Sequence, residues 1–265
     1  MGCNRTKGNY YRLIHQGDDI VIISYDYGHM KGGEDGAAVG ILDEYKVVRE
    51  YGAVVIKYLQ QAGHTCLNCT PPDNSGMTLM QSLQYRVNKA NTSGSNLHLS
   101  FHANCYNGQA HGAEIEVASD TGEKKAKPVL DKICSLGFTN RGIKRPDLYI
   151  TSTDVKSEEL FLSLMVQKDK VQGSKYTNMI CLLLEPFFVD NASDVSKYNT
   201  QTLGKAIAEG ILGHDIQEVN VVDVNQAIKI LIEKGVISTP EYWQNAVKIV
   251  KYLDSLLINV ANRIK

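Results

Sequence analysis

The apolar positions change period repeatedly along the chain. Ile20 to Tyr25 is a short, continuous β-branched run of the kind that fills a buried central strand. From Glu44 to Ala62 the spacing becomes helical. Val47, Val48, Tyr51, Val54, Val55, Tyr58 and Leu59 fall on one stripe, and Gly63 supplies a stop. His64 to Cys69 reads as a second strand closed by Pro71-Pro72. Leu79, Leu83, Val87 and Ala90 mark a second helix, and Asn96 to Phe101 a third strand. Glu114 to Ala118 alternates and reads as a fourth strand. Pro128 to Leu136 reads as a helix opened by its proline, and Leu148 to Ile150 as a short strand. Met179 to Leu184 is a strongly apolar strand, and Leu203 to Leu212 a closing helix ended by Gly213. Strands alternating with helices predict an α/β fold with a mostly parallel or mixed sheet. Residues 151–178 fit this least: polar stretches surround the apolar patch Leu160 to Val166, which reads as an insertion.

The pattern shifts after Asp215. Asp223 is placed to cap a helix over Val224 to Lys234, ended by Gly235. Thr239-Pro240-Glu241 marks another start, with Thr239 as cap and Pro240 at the first helical position. That helix is expected to run to the C-terminus with Trp243, Val247, Val250, Leu253, Leu257 and Val260 on one stripe. Two helices bury little core. The piece is therefore expected to dock on the main domain, to self-associate, or to bind a partner. The organisation read from the sequence is a leader over residues 1–19, a domain over 20–215 and a small helical module over 216–265.

Composition narrows the classes. The chain has 265 residues, 43% of them hydrophobic and 22% charged, as ordinary globular domains do. A net charge of −1 lacks the basic footprint of a nucleic-acid binder. No apolar run is long enough to span a bilayer. Met1 to Gln16 is polar, without the apolar core of a secretory signal, so the expected location is the cytoplasm until something releases the protein. The cysteines at 3, 66, 69, 105, 134 and 181 are scattered and read as reduced thiols. Cys66 and Cys69 form a CxxC with no second metal-binding half, which reads as small residues ending a strand.

Four residues share a position relative to these elements. His29 follows the first strand, Glu44 opens the helix after it, His102 ends the third strand and Glu185 ends the Met179 to Leu184 strand. Groups just past the carboxyl ends of strands line the ligand crevice of an open α/β sheet. Glu44 lies three and four residues before Val47 and Val48, so it faces the buried side of its helix, where a carboxylate needs a partner. Two imidazoles and a carboxylate form an open catalytic zinc site. A further glutamate, Glu185, sits between six uncharged residues and Pro186-Phe187-Phe188, surroundings that suit it to proton transfer. Three of the four also have a plainer reading, whereas a lone charge ending a buried strand, as Glu185 does, is costly. Either histidine alone is a loop or strand-end residue. Glu44 alone is a first-turn acid favoured by the helix dipole.

The motifs resemble those of a known family. Gly28-His29, Gly32-Gly33, Asp35-Gly36-Ala37 and Glu44 resemble the first zinc-ligand block of the zinc-dependent N-acetylmuramoyl-L-alanine amidases. Tyr85-Arg86-Val87-Asn88-Lys89-Ala90 resembles the helix ahead of the family's next strand, and Leu99-Ser100-Phe101-His102-Ala103-Asn104 its S-x-H-x-N block. Gly112-Ala113-Glu114, Asn140-Arg141-Gly142-Ile143-Lys144 and Leu184-Glu185-Pro186-Phe187-Phe188-Val189-Asp190-Asn191 resemble three later blocks. The resemblance covers roughly residues 20–213. It implies a twisted six-stranded sheet flanked by helices, one zinc ion per chain on His29, Glu44 and His102, and Glu185 as catalytic acid and base. It also implies peptidoglycan as partner and cleavage of the amide between N-acetylmuramic acid and L-alanine. Four features depart from the family pattern: Asp26 sits three before His29, Met30 replaces a glycine, Pro186 follows Glu185, and residues 151–178 are longer than expected.

A murein-cleaving domain without a secretory signal is expected in a clostridial phage endolysin, or in an amidase that lyses the mother cell of spore formers. Two rival readings remain. One is another zinc amide hydrolase of carboxypeptidase type, although fourteen residues separate His29 from Glu44 where that family has two. The other is a non-catalytic wall-binding protein on the same scaffold.

Overall fold

The computed structural model describes residues 21–117, 119–145, 179–216, 224–250 and 253–264. The chain forms two compact units, Met1–Asp215 and Ile216–Lys265. The leader, the short strand expected at Leu148 to Ile150, the insertion 151–178 and the cap Asp223 lie outside the described residues.

The first unit holds β1 (Ile22–Tyr27), α1 (Glu44–Gln61), β2 (Thr65–Asn68), α2 (Leu79–Thr92), β3 (Leu97–Phe101), β4 (Ala113–Glu116), α3 (Asp120–Cys134), β5 (Asn140–Lys144), β6 (Ile180–Glu185), α4 (Ala192–Lys197) and α5 (Thr200–Leu212). The strands form one six-stranded sheet in the order β2-β1-β3-β6-β4-β5. All neighbours run parallel except β4 against β6. The α/β class and the mixed six-stranded sheet flanked by helices therefore hold.

The strand order decides where a site forms. From β1 the chain crosses by α1 to β2 on one side, and from β2 it returns by α2 to β3 on the other. Right-handed crossovers in opposite directions put α1 and α2 on opposite faces. A crevice opens between β1 and β3, where the connections diverge. The sheet is packed tightly beneath it: Ile23, Leu99, Phe101, Ile115 and Leu182 to Leu184 are fully buried. α1 presents Val48, Tyr51, Val55 and Leu59 to this core, the stripe read from the sequence.

Several helix ends differ from the sequence reading. α3 starts eight residues earlier than expected, so Pro128 lies inside it. Ser119 accepts a hydrogen bond from the Gly122 N–H, and Asp120 and Glu123 fill the first turn. That cap and those acids set the start and outweigh the proline. α2 opens with a capping box between Thr78 and Gln81. The fifth strand is Asn140–Lys144, inside the motif at 140–144, and α4 is an added short helix capped by Asn191.

The second unit holds α6 (Val224–Glu233), α7 (Pro240–Ile249) and α8 (Leu253–Ile264). The single helix expected after Pro240 is broken at Val250, whose backbone is extended. The break lets Leu257 and Ala261 of α8 pack with Ala227, Ile228 and Leu231 of α6, which one straight helix cannot do. Thr239 precedes α7 with φ of 60°, and its side chain makes no capping hydrogen bond. A cap needs an extended backbone to aim its oxygen at the first turn. Among the described residues, no helix is long and apolar enough to cross a membrane.

Candidate active site

The crevice between β1 and β3 gathers His29, Glu44 and His102. One ligand atom from each lies within 4.8 Å of the others, and all three residues are buried. β1 ends at Tyr27, and the chain turns at once so that His29 adopts φ of 63°. A left-handed conformation is costly for a residue with a Cβ and persists only where the surroundings impose it. Here Arg49 of α1 donates to the carbonyls of Gly28 at 3.2 Å and His29 at 2.9 Å. His102 follows β3, and its own carbonyl accepts the Tyr51 hydroxyl at 2.7 Å. Gly28 lies under the His102 ring: a Cβ there would stand 2.4 Å from the ring carbon Cε1.

Glu44 is the hub. Its Oε1 is 3.2 Å from His29 Nε2 and 3.4 Å from His102 Nδ1. The Ala103 N–H donates to Oε1 and the Ala38 N–H to Oε2, both at 3.0 Å. Burial favours the neutral acid, but the two imidazoles and these bonds outweigh it and hold the Glu44 pKa well below the usual carboxylate range. Burial likewise opposes a charge on His29, yet Asp35 and Glu44 raise its pKa to about 10.

The residues fit a metal ion. Both ring nitrogens of His102 are buried and accept or donate no hydrogen bond, a costly state unless a ligand satisfies one of them. His29 commits Nδ1 to Asp35 at 3.0 Å, which leaves Nε2 facing Glu44. Two imidazole nitrogens and one carboxylate oxygen suit zinc better than the oxygen-seeking magnesium or calcium. Cys66 and Cys69 are free thiols, as read from the sequence.

Glu185 ends β6, next to β3. Phe101 pairs with Leu184, and the His102 N–H donates to the Leu184 carbonyl at 3.0 Å, so His102 and Glu185 follow side by side. Glu185 is buried, and Phe187 and Phe188 beyond it are fully buried. Its negative charge and that of Glu44 add to burial in pushing the Tyr51 hydroxyl pKa well above its ordinary value.

Sequence reasoning missed the residues behind these. Glu114, the second residue of β4, pairs directly with Glu185, because β4 runs against β6. Its carboxylate accepts from Asn104 Nδ2 at 2.7 Å and Arg141 Nε at 2.9 Å. Asp190 and Asp194 anchor the loop after His102: Asp190 accepts the N–H groups of Tyr106 and Gly108, and Asp194 that of Gly112. Asp35, Ser82, Arg86 and Asp26 form a buried cluster behind His29. Asp35, Arg86, Asn104, Glu114, Arg141 and Asp190 stand inside the blocks that carry the resemblance, and Asp26 among its departures, yet none of them was read as a supporting residue; Ser82 and Asp194 gave no signal.

Comparison with known proteins agrees with this geometry. Residues 21–214 match the family described as Amidase_3, N-acetylmuramoyl-L-alanine amidase. The chain is similar to the N-acetylmuramoyl-L-alanine amidase LytC of Bacillus subtilis, 28% identical over 200 residues, covering 73% of this chain and 34% of that protein. It is 29% identical over 190 residues to an uncharacterized protein of Clostridium perfringens, covering 68% of this chain and 49% of that one. It thus spans about half or less of the length of these two relatives. Among solved structures, the catalytic domain of the CD27L endolysin targeting Clostridia difficile is 25% identical with a TM-score of 0.60. That match covers 74% of this chain and 99% of the other. With six strands in this order, a His–Glu–His cluster at the divergence of β1 and β3, and most of the first unit matched, the chain belongs to the Amidase_3 family of N-acetylmuramoyl-L-alanine amidases.

Proposed function

We propose that the first unit hydrolyses the amide between the lactyl group of N-acetylmuramic acid and the L-alanine of the stem peptide in peptidoglycan. The buried His29–Glu44–His102 cluster, with its unsatisfied His102 ring, is the observation that carries this reading. These three residues would hold one zinc ion, through His29 Nε2, a Glu44 oxygen and a His102 ring nitrogen. Zinc bound there supplies Lewis acidity, which brings the pKa of water toward ~7 and draws on the carbonyl oxygen. Glu185 accepts the proton of the attacking water and returns it to the departing L-alanine nitrogen. The Glu185 side chain is itself buried, which limits its contact with bulk water. Glu114, held by Asn104 and Arg141, borders Glu185 and fixes the floor of the site.

The likeness to an endolysin catalytic domain supports a lytic role at the cell wall. The second unit is read as a wall-binding or self-associating module. In Glu185→Ala, zinc content by metal analysis should stay at one per chain. Turbidity loss on purified walls should fall by ~10²-fold or more. Full lytic rate in that variant would remove Glu185 from the mechanism. Product analysis on muropeptides should show the lactyl–alanine bond cut; a cut inside the peptide would favour a carboxypeptidase-like reading.

A further inference from the structure

His29 is backed by a chain of buried charges. Its Nδ1–H donates to Asp35 Oδ1 at 3.0 Å. The other oxygen, Oδ2, accepts from the Ser82 hydroxyl and from the Arg86 guanidinium. Arg86 Nε in turn lies 3.1 Å from Asp26 Oδ1. Asp26 Oδ2 is 2.9 Å from His98 Nε2, and His98 Nδ1 is 2.9 Å from the Ser24 hydroxyl. Every member is almost completely buried, and Arg86 is among the largest fully buried side chains of the chain. One arginine from α2 thus bridges an aspartate on β1 and an aspartate in the loop after His29.

The arrangement is asymmetric about the metal cluster. His29 has a carboxylate behind it; His102 has neither ring nitrogen bonded. The one arginine is shared by both aspartates, with Asp26 also meeting His98 and Asp35 meeting His29. A carboxylate behind a ligating histidine fixes the tautomer and raises the basicity of the other nitrogen. Burying an arginine and two aspartates is costly, and such ion clusters are weak sources of stability. Their site here coincides with the strained residue His29, whose ring orientation they determine.

We propose that Asp35, held rigid by Arg86 and Ser82, is a positioning residue that presents His29 Nε2 to the metal, and that Arg86 ties this histidine to the β1 scaffold through Asp26. The proposal rests on the reading of His29, Glu44 and His102 as a metal site. Asp35 touches neither metal nor substrate, so its effect must pass through His29.

The test is zinc affinity by chelator competition on the full chain, with the thermal midpoint of the metal-free protein and the visible spectrum of the cobalt-substituted protein. Asp35→Asn should weaken zinc by roughly 10- to 100-fold and change the cobalt bands. Ser82→Ala removes one bond to Asp35 and is the milder variant, should Asp35→Asn fold poorly. It should weaken zinc by about threefold or more, with a near-native metal-free midpoint. Native zinc affinity and native cobalt bands in both variants, with only the midpoint lowered, would show a purely structural cluster and overturn the proposal. His29→Ala separates the two ideas. If it loses zinc while Asp35→Asn keeps wild-type affinity, the metal site stands and the positioning role falls. If it keeps zinc, the metal reading falls and the positioning role with it.

Discussion

Gly28 shows how one missing methyl group shapes the catalytic crevice. Its position is set by the His102 ring packed over its backbone, with room for nothing else. Gly28→Ala should force that ring aside, lowering stability by about 1–3 kcal/mol and reducing zinc retention together. Thermal unfolding and metal analysis of the purified variant check both. Asp26 makes a second residue-scale case. Burial opposes its charge, but His98 and Arg86 hold its pKa below the ordinary value of 3.8. Its ionised form therefore stabilises the fold fully above about pH 4 and ceases to do so as acid drives the pH through the lowered value. Denaturant titrations of the metal-free protein should show Asp26→Asn less stable near neutrality, by roughly 3–5 kcal/mol, with a flatter decline in acid. An unchanged acid profile would remove Asp26 from the account. Legibility also divides at this scale. Glu44 was readable because a charge on an apolar helical stripe breaks a period. Asp35 and Arg86 were visible only as members of motifs, with no role attached, since a polar residue in a loop, or one on a mixed helix face, breaks no period.

Among elements, the sheet strands were the most legible, because uninterrupted apolar runs such as Met179 to Leu184 have few other fates. Helix starts were less so. The serine and two acids opening α3 were overlooked beside the more conspicuous Pro128. β5 carries Arg141, Gly142 and Lys144 with a half-exposed pattern, so no hydrophobic period announces it. The break after α7 came from packing between helices, which a stripe on one helix does not encode. A prediction belongs here. Thr78→Ala removes the hydroxyl that accepts the Gln81 N–H at the start of α2, the helix that carries Ser82 and Arg86, and leaves the backbone N–H that donates to the Gln81 side chain. A loss of about 1 kcal/mol in unfolding free energy is expected. Hydrogen exchange should quicken first in the opening turn of α2, and uniform protection there would contradict the cap's importance.

For the whole molecule, the two units carry separate apolar cores, one under the sheet and one of Ala227, Ile228, Leu231, Leu257 and Ala261. A chain ending at Asp215 is therefore expected to fold, to bind zinc as the full protein does, and to cleave soluble muropeptides at an unchanged rate. Sedimentation with purified walls would then report what residues 216–265 add. An insoluble or zinc-free truncation would mean the first unit depends on the second.

The antiparallel pairing of β4 with β6, which inverts β4 and with it β5, has a consequence for how this protein can be altered. In an all-parallel sheet the catalytic rim is furnished by strand exits alone. The inverted strand delivers an entrance to the same rim, and with it Glu114 and the loop from Asn104 to Gly112. Substrate preference is then expected to be retunable by exchanging the part of that loop held by Asp190, Asn191 and Asp194, from Tyr106 to Gly112, while both ligand-bearing strands stay untouched.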